Sequence, residues 1–238
     1  AGDYIIVGAV GEDSNTNVLP GNASSSNSGA AYIFKYNGVN DWIQEDFLKA
    51  SNIGASDSFG GSVNITQEGY AIVGARNEDS ADQSTPADNT VSASGAAYIY
   101  EWDGISNWAE VAFLKHPSPT ASDLFGIAVG ISGNHAIVGI QSEDSDGPYA
   151  INQLSSASGA AIVYERIGAG VWSQQQFLKA FNQDASDLFG TGVAIYEDQL
   201  IVGATGEDSL GSSPFNEGAS GSGAAYIYEL DGGGWIGD

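Results

Sequence analysis

Asp57-Ser58-Phe59-Gly60-Gly61-Ser62-Val63-Asn64-Ile65, followed by Thr66-Gln67-Glu68-Gly69 and Tyr70-Ala71-Ile72-Val73-Gly74-Ala75, is the stretch that decides the fold. Val63 and Ile65 flank a polar Asn64, the two-residue period of a half-buried strand. Thr66 to Gly69 is a short polar connection ending in glycine, a turn signal. Tyr70 to Ala75 is an apolar run of strand length, not helix length. Two strands joined by a tight turn follow. Gly74 and Ala75 leave the second strand thin, so another sheet can approach it closely.

The pattern recurs along the chain. Ile-Val-Gly stands at Ile6, Ile72, Ile137 and Ile201, and the glycines Gly8, Gly74, Gly139 and Gly203 are 66, 65 and 64 residues apart. Each copy is followed by Glu-Asp-Ser, then a polar loop, then Ser-Gly-Ala-Ala at Ser28, Ser94, Ser158 and Ser222. A tryptophan follows at Trp42, Trp108, Trp172 and Trp235, and Phe-Leu-Lys at Phe47, Phe113 and Phe177. Asp-x-Phe-Gly opens the next copy at Asp57, Asp123 and Asp187. Each period reads as four short strands, A to D, and no segment carries a sustained helical stripe. The expected fold is all-β: four-stranded antiparallel blades around an axis, a β-propeller. The repeats divide residues 1–238 at 1–56, 57–122, 123–186 and 187–238 within one propeller section. Strand A is missing from the first repeat, and Trp235-Ile236-Gly237-Asp238 stands where the last strand D should begin. Aromatics at Tyr32/Phe34, Tyr98/Tyr100 and Tyr226/Tyr228 are expected to fill the gaps between blades.

Phe-Gly followed at short distance by Val-Gly-Ala resembles the FG-GAP repeat, that of integrin α-subunit propellers and secreted bacterial surface proteins. Phe59-Gly60 with Val73-Gly74-Ala75 fits, as does Phe189-Gly190 with Val202-Gly203-Ala204. The third copy ends in Ile140, and the first has only Val7-Gly8-Ala9. The resemblance implies a propeller of about seven blades, so the chain reads as a section of a larger one. It also implies an extracellular or cell-surface recognition and adhesion module, with calcium as the candidate cofactor.

Charge limits the partners. Six basic residues stand against thirty acidic ones, a net charge of −24, which repels nucleic-acid phosphates and anionic lipid. No apolar run approaches a membrane span. With no cysteine there is neither disulfide nor thiolate chemistry. The expected partner is a protein or glycan on the loop face, with self-association through open blade edges as the structural alternative. His116 and His135 occupy different repeat positions, no nucleophile or metalloprotease motif is present, and no enzymatic activity is expected of this segment. A catalytic domain elsewhere, with this propeller appended, is a further alternative.

The A–B connections are too short and too poor in carboxylates for the calcium loop that the resemblance implies there. The remaining metal candidates are the repeated pairs Glu12 and Asp13, Glu78 and Asp79, Glu143 and Asp144, Glu207 and Asp208, with loop residues Asp88-Asn89 and Asn216-Glu217 as added oxygens. The other reading is that these acids cap turns. Asp57, Asp123 and Asp187 are expected to fix the D-to-A crossover by accepting backbone hydrogen bonds. Lys49, Lys115 and Lys179 share one repeat position on strand D and are expected to guard the blade edge against pairing. Asn22 and Asn64 each open a glycosylation sequon.

Overall fold

The computed structural model of the chain describes residues 1–16, 23–147, 154–209 and 218–237. Four antiparallel sheets follow one another in the sequence. The first is β1 (Tyr4–Ala9), β2 (Ala30–Tyr36) and β3 (Trp42–Leu48), ordered β1-β2-β3. The second is β4 (Phe59–Ile65), β5 (Tyr70–Ala75), β6 (Ala96–Trp102) and β7 (Trp108–Leu114). The third is β8 (Phe125–Ser132), β9 (His135–Ile140), β10 (Ala160–Gly168) and β11 (Val171–Leu178). The fourth is β12 (Phe189–Tyr196), β13 (Gln199–Ala204), β14 (Ala224–Asp231) and β15 (Gly234–Gly237). Each is a meander in chain order, and consecutive sheets stack face to face like propeller blades.

One strand departs from the sequence reading. The fourth sheet does possess a strand D: β15 pairs with β14 through Leu230↔Trp235 and Glu229↔Ile236. Gly232 and Gly233 both take positive φ (58° and 89°) and close the hairpin within two residues, so the strand starts before the tryptophan that marked it in the sequence.

The seams between sheets hold the core. Ile33, Phe59, Val73 and Tyr98 are fully buried between the first and second sheets. Ile72, Ile99, Phe125 and Ile162 fill the second seam, and Val163, Phe189 and Val202 the third. Phe59 packs edge-on to Tyr98 at 5.3 Å, and Phe189 to Tyr226 at 5.3 Å, so the aromatics do lie between blades. The repeated glycines are explained by how close the backbones come. A Cβ on Gly8, Gly74 or Gly139 would lie 1.9, 2.1 or 2.0 Å from the carbonyl oxygen of Gly60, Gly126 or Gly190 in the next sheet. The Phe-Gly glycine itself sits at φ near +87° in all three copies (87°, 86° and 90°), which non-glycine residues rarely adopt. A parallel bridge joins each sheet to the next at Gly29↔Phe59, Gly95↔Phe125 and Gly159↔Phe189.

Candidate functional site

The repeated polar residues converge at one end of each blade. Lys115 follows strand β7 and turns inward, its side chain only 1% exposed. Its Nζ donates to Glu78 Oε2 at 2.8 Å and to Ser94 Oγ at 2.7 Å. Lys179 repeats this with Glu143 (2.8 Å) and Ser158 (2.6 Å), and Lys49 with Glu12 (2.9 Å) and Ser28 (2.7 Å). The edge-guard reading of these lysines is therefore overturned: they are buried ion-pair partners inside the blade. The physical reason is that Glu of Glu-Asp-Ser and Ser of Ser-Gly-Ala-Ala provide an acceptor pair beside the strand's end, where water is excluded. Burial lowers the Lys115 and Lys179 pKa, and the facing glutamates oppose that shift. Burial pushes the Glu12 carboxyl up, but the bonds from Ser14 and Lys49 outweigh it and hold the group below the usual range.

The Glu carboxylates also bind their own loop. Ser80 N donates to Glu78 Oε1, and Ser145 N to Glu143 Oε1, each at 3.0 Å. The Asp of each motif closes the loop neck. Asp13, Asp79 and Asp144 accept from the backbone N–H of Asn27 (2.7 Å), Ala93 (2.7 Å) and Ala157 (2.6 Å), and Asp208 accepts from Gly221. All four donors sit at positive φ, so the carboxylate pins a left-handed residue that turns the chain back into the blade. Glu207 meets no lysine among the described residues; Asn182 Nδ2 and Tyr226 OH donate to its Oε2, both at 3.0 Å. Among the described residues, no group of three or more His, Cys, Asp or Glu side chains could hold a metal ion. Of the added candidates, Asp88 accepts from Ala81 N through its carbonyl at 3.0 Å, while Asn216 and Glu217 lie outside the described residues.

The crossover aspartates act as the sequence suggests. Asp57, Asp123 and Asp187 are buried and accept from Gly54 N (2.8 Å), Thr120 N (2.6 Å) and Asp184 N (2.6 Å). Burial, with Glu78 and Asp79 nearby, pushes Asp57 up to about 7; burial, with Glu143 and Asp144 nearby, takes Asp123 to about 6. His135 packs against the Trp235 ring at 5.4 Å, while His116 is buried in the second seam. Asn64 is exposed on β4, and Asn22 lies outside the described residues.

Beside each clamp runs a groove between blades, of 610, 320 and 310 Å³ in chain order. Its floor is the strand D end of the earlier blade: Phe47 to Ser51, Lys115 to Pro117, or Phe177 to Phe181. Its wall is a tyrosine of the later one, Tyr100, Tyr164 or Tyr228, whose OH donates to the lysine carbonyl at 2.7, 3.0 or 3.3 Å. Its roof is a B–C loop: Asn15-Thr16, Asp82 to Ser84, or Asp146-Gly147. The grooves were not legible in the sequence, because they form from three segments each. The one signal was the strict register of Glu, Ser and Lys.

Comparison with known proteins bears on this repeat. The family model described as FG-GAP repeat matches residues 42–100 and 172–228. Those two segments match the FG-GAP repeat. The matched segments hold Phe59-Gly60 with Val73-Gly74-Ala75, and Phe189-Gly190 with Val202-Gly203-Ala204. No curated protein matches. Among solved structures, the chain is similar to a hypothetical selenium-binding protein from Sulfolobus tokodaii, with 9% identity and a TM-score of 0.43 over 88% of this chain. The match spans 45% of that protein's length.

Proposed function

We propose that this FG-GAP chain is a non-catalytic, extracellular recognition and adhesion module that holds a protein or glycan ligand on its B–C loop face. What carries the reading is the division of each loop into a fixed neck and a changing tip. The necks repeat Glu-Asp-Ser with the same hydrogen bonds in all four sheets. The tips, residues 15–27, 81–93, 146–157 and 210–221, are 13, 13, 12 and 12 residues long but differ in most of their sequence. A rigid scaffold with variable loops is the usual arrangement of a binding surface. The test replaces residues 82–87 by Gly and Ser and compares the two chains on an array of glycans and extracellular matrix proteins. Capture lost at unchanged melting temperature supports the reading; an array that never retains the native chain refutes it.

A second reading, ordered self-assembly, has its own observation. Ile201 and Ile227 of the fourth sheet are 41% and 49% exposed, whereas their counterparts Ile72 and Ile99 are fully buried in a seam. Ile5 and Val7 are likewise exposed at the other end. Chain-length scattering of native and Ile201→Glu protein separates the two: assembly that the charge abolishes favours stacking through these faces.

A further inference from the structure

Three times along the chain, the crossover that opens a sheet docks on the loop neck of the sheet before it. In the first seam the backbone N–H groups of Ser56, Ser58 and Phe59 donate to the carbonyls of Ser26, Asn27 and Ser28, at 2.8, 3.2 and 3.0 Å. In the second, Ser122, Leu124 and Phe125 donate to Ser92, Ala93 and Ser94, at 2.9, 3.2 and 3.0 Å. In the third, Ser186, Leu188 and Phe189 donate to Ser156, Ala157 and Ser158, at 2.8, 3.1 and 3.0 Å. The donors always belong to Ser-Asp-x-Phe-Gly. Its first, third and last residues take positive φ in every copy, 71°, 58° and 87° in the first, so one backbone shape presents the three N–H groups.

The fourth sheet has the acceptors without the donors. Its row is Ser220, Gly221 and Ser222, and no described residue donates to any of these three carbonyls. The neck beneath them is nonetheless complete. Gly221 donates its N–H to Asp208, and Ser222 Oγ donates to Ser209 O at 3.0 Å, as Ser94 Oγ does to Ser80 O at 3.0 Å. Ser222 is exposed, where Ser28, Ser94 and Ser158 are buried beneath a crossover. A Cβ on Gly139 would lie 2.0 Å from the Gly190 carbonyl oxygen of the next sheet. Around Gly203 the nearest atom is 3.7 Å away and belongs to its own sheet. Ile201, Ala225 and Ile227 are exposed on the same face. Every element that receives a crossover elsewhere is therefore formed and uncovered here.

We propose that the open face of the fourth sheet is a docking site for a Ser-Asp-x-Phe-Gly strand presented by a partner chain. The three occupied copies define what it takes. Three backbone N–H groups in a left-handed turn pair with the carbonyl row, and the Phe-Gly glycine brings a carbonyl that only the bare Cα of Gly203 admits. Main-chain bonds supply affinity and the side-chain pattern supplies selectivity, the usual division in strand capture. This gives the exposed fourth face a different occupant from self-assembly. The described first sheet offers Ile5 and Val7 but no Phe-Gly strand, so a second copy stacked through it would leave the three carbonyls unpaired. A net charge of −24 on each copy also opposes such stacking. The site is separate from the loop tips and does not rest on recognition there.

The test uses the whole chain and a fluorescein-labelled peptide copying residues 56–75, which carries the crossover with β4 and β5. The expected result is a saturable rise in the peptide's fluorescence anisotropy. Gly203→Ala adds a methyl that lies 3.7 Å from its nearest neighbour in the free chain, so the melting temperature should not change. The same methyl occupies the place of the incoming carbonyl and should weaken binding about tenfold or more. Should that variant not fold, a peptide methylated at the backbone nitrogen of its phenylalanine decides: it lacks the donor to Ser222 and should bind about threefold or more weakly. No saturable binding would overturn the site. So would binding that folded Gly203→Ala, or the N-methyl group, leaves at full strength. Sedimentation of the chain alone tests the other occupant: self-association that Gly203→Ala abolishes, with no peptide bound, gives the face to a second copy and overturns the proposal. Replacing residues 82–87 by Gly and Ser should leave peptide binding intact, so failure on the glycan and protein array removes the recognition reading without touching this site, and a silent peptide does the reverse.

Discussion

Removing the charge of Lys115 should expose what the buried clamp contributes. Lys115 and Glu78 are each 1% exposed at the side chain and 2.8 Å apart. Lys115→Met keeps most of the aliphatic stem but leaves the Glu78 carboxylate with only Ser80 N and Asn52 Nδ2 as donors. Breaking a buried pair from one side costs about 3–5 kcal/mol, because the remaining charge has lost its hydration and its partner. For a chain of this size that is a fall of about 6–20 °C in melting temperature. Lys49→Met should cost less, about 1–2 kcal/mol, because the Glu12 side chain is 19% exposed and water takes over part of the lysine's role. The Lys115→Met/Glu78→Gln double variant should recover most of the loss, since a neutral amide needs no counter-charge. Urea denaturation followed by tryptophan fluorescence measures all three. The reasoning fails if Lys115→Met costs less than about 1 kcal/mol, or if the double variant is no more stable than the single one.

Three further outcomes follow from the geometry. Gly74→Ala would place a methyl 2.1 Å from the Gly126 carbonyl oxygen and should cost more than about 3 kcal/mol, while Gly203→Ala, whose nearest neighbour is 3.7 Å away, should be tolerated; thermal melts of the pair decide. Asp57 titrates near 7 in the folded chain against an ordinary 3.8, so the native state holds the extra proton between those values. Its stabilising contribution is complete below pH 4 and is lost as pH rises through 7, and Asp57→Asn should flatten that decline in a melting-temperature profile from pH 4 to 8. Calcium or chelator should leave the melting temperature of the native chain unchanged, because the Glu-Asp-Ser carboxylates already have partners: lysine and backbone N–H in the first three sheets, Asn182, Tyr226 and backbone N–H in the fourth; a calcium-dependent rise would return them to metal ligation.

The fold was legible because its signals are local and repeated. Val-Gly-Ala, Phe-Gly and the alternation through Val63 and Ile65 each lie within one or two strands, and phased copies average out the ambiguity of any single match. The crossover role of Asp57 was legible for the same reason, since its donor, Gly54, is three residues away. The clamp was not. Lys115 is 37 residues from Glu78 and 21 from Ser94, and their meeting depends on how three strand ends are placed in one blade. Lysine on an edge strand ordinarily points to solvent, and the residue type alone favoured that reading. The final strand was missed because Gly232 and Gly233 begin the hairpin earlier than the tryptophan spacing implies.

The repeats also show which part of the clamp is fixed. In the second sheet the glutamate is held by lysine and asparagine together, Lys115 and Asn52. In the third it keeps the lysine, Lys179, while Ser118 stands in the asparagine's place. In the fourth it is held by Asn182 and Tyr226. The donors exchange; the carboxylate and its bond to the second serine or its backbone N–H do not. A buried acceptor costs most when unpaired, and any of several donors can remove that cost. Glu-Asp-Ser is therefore the invariant part of the sequence, since it both closes the loop and sets the need for a partner. Where donors are exchanged, as at Ser118 and Ile162, the seam beside them changes its polar lining without disturbing the blade. Variation at the seam and at the loop tip is thus compatible with one scaffold, and the middle seam is where both occur together.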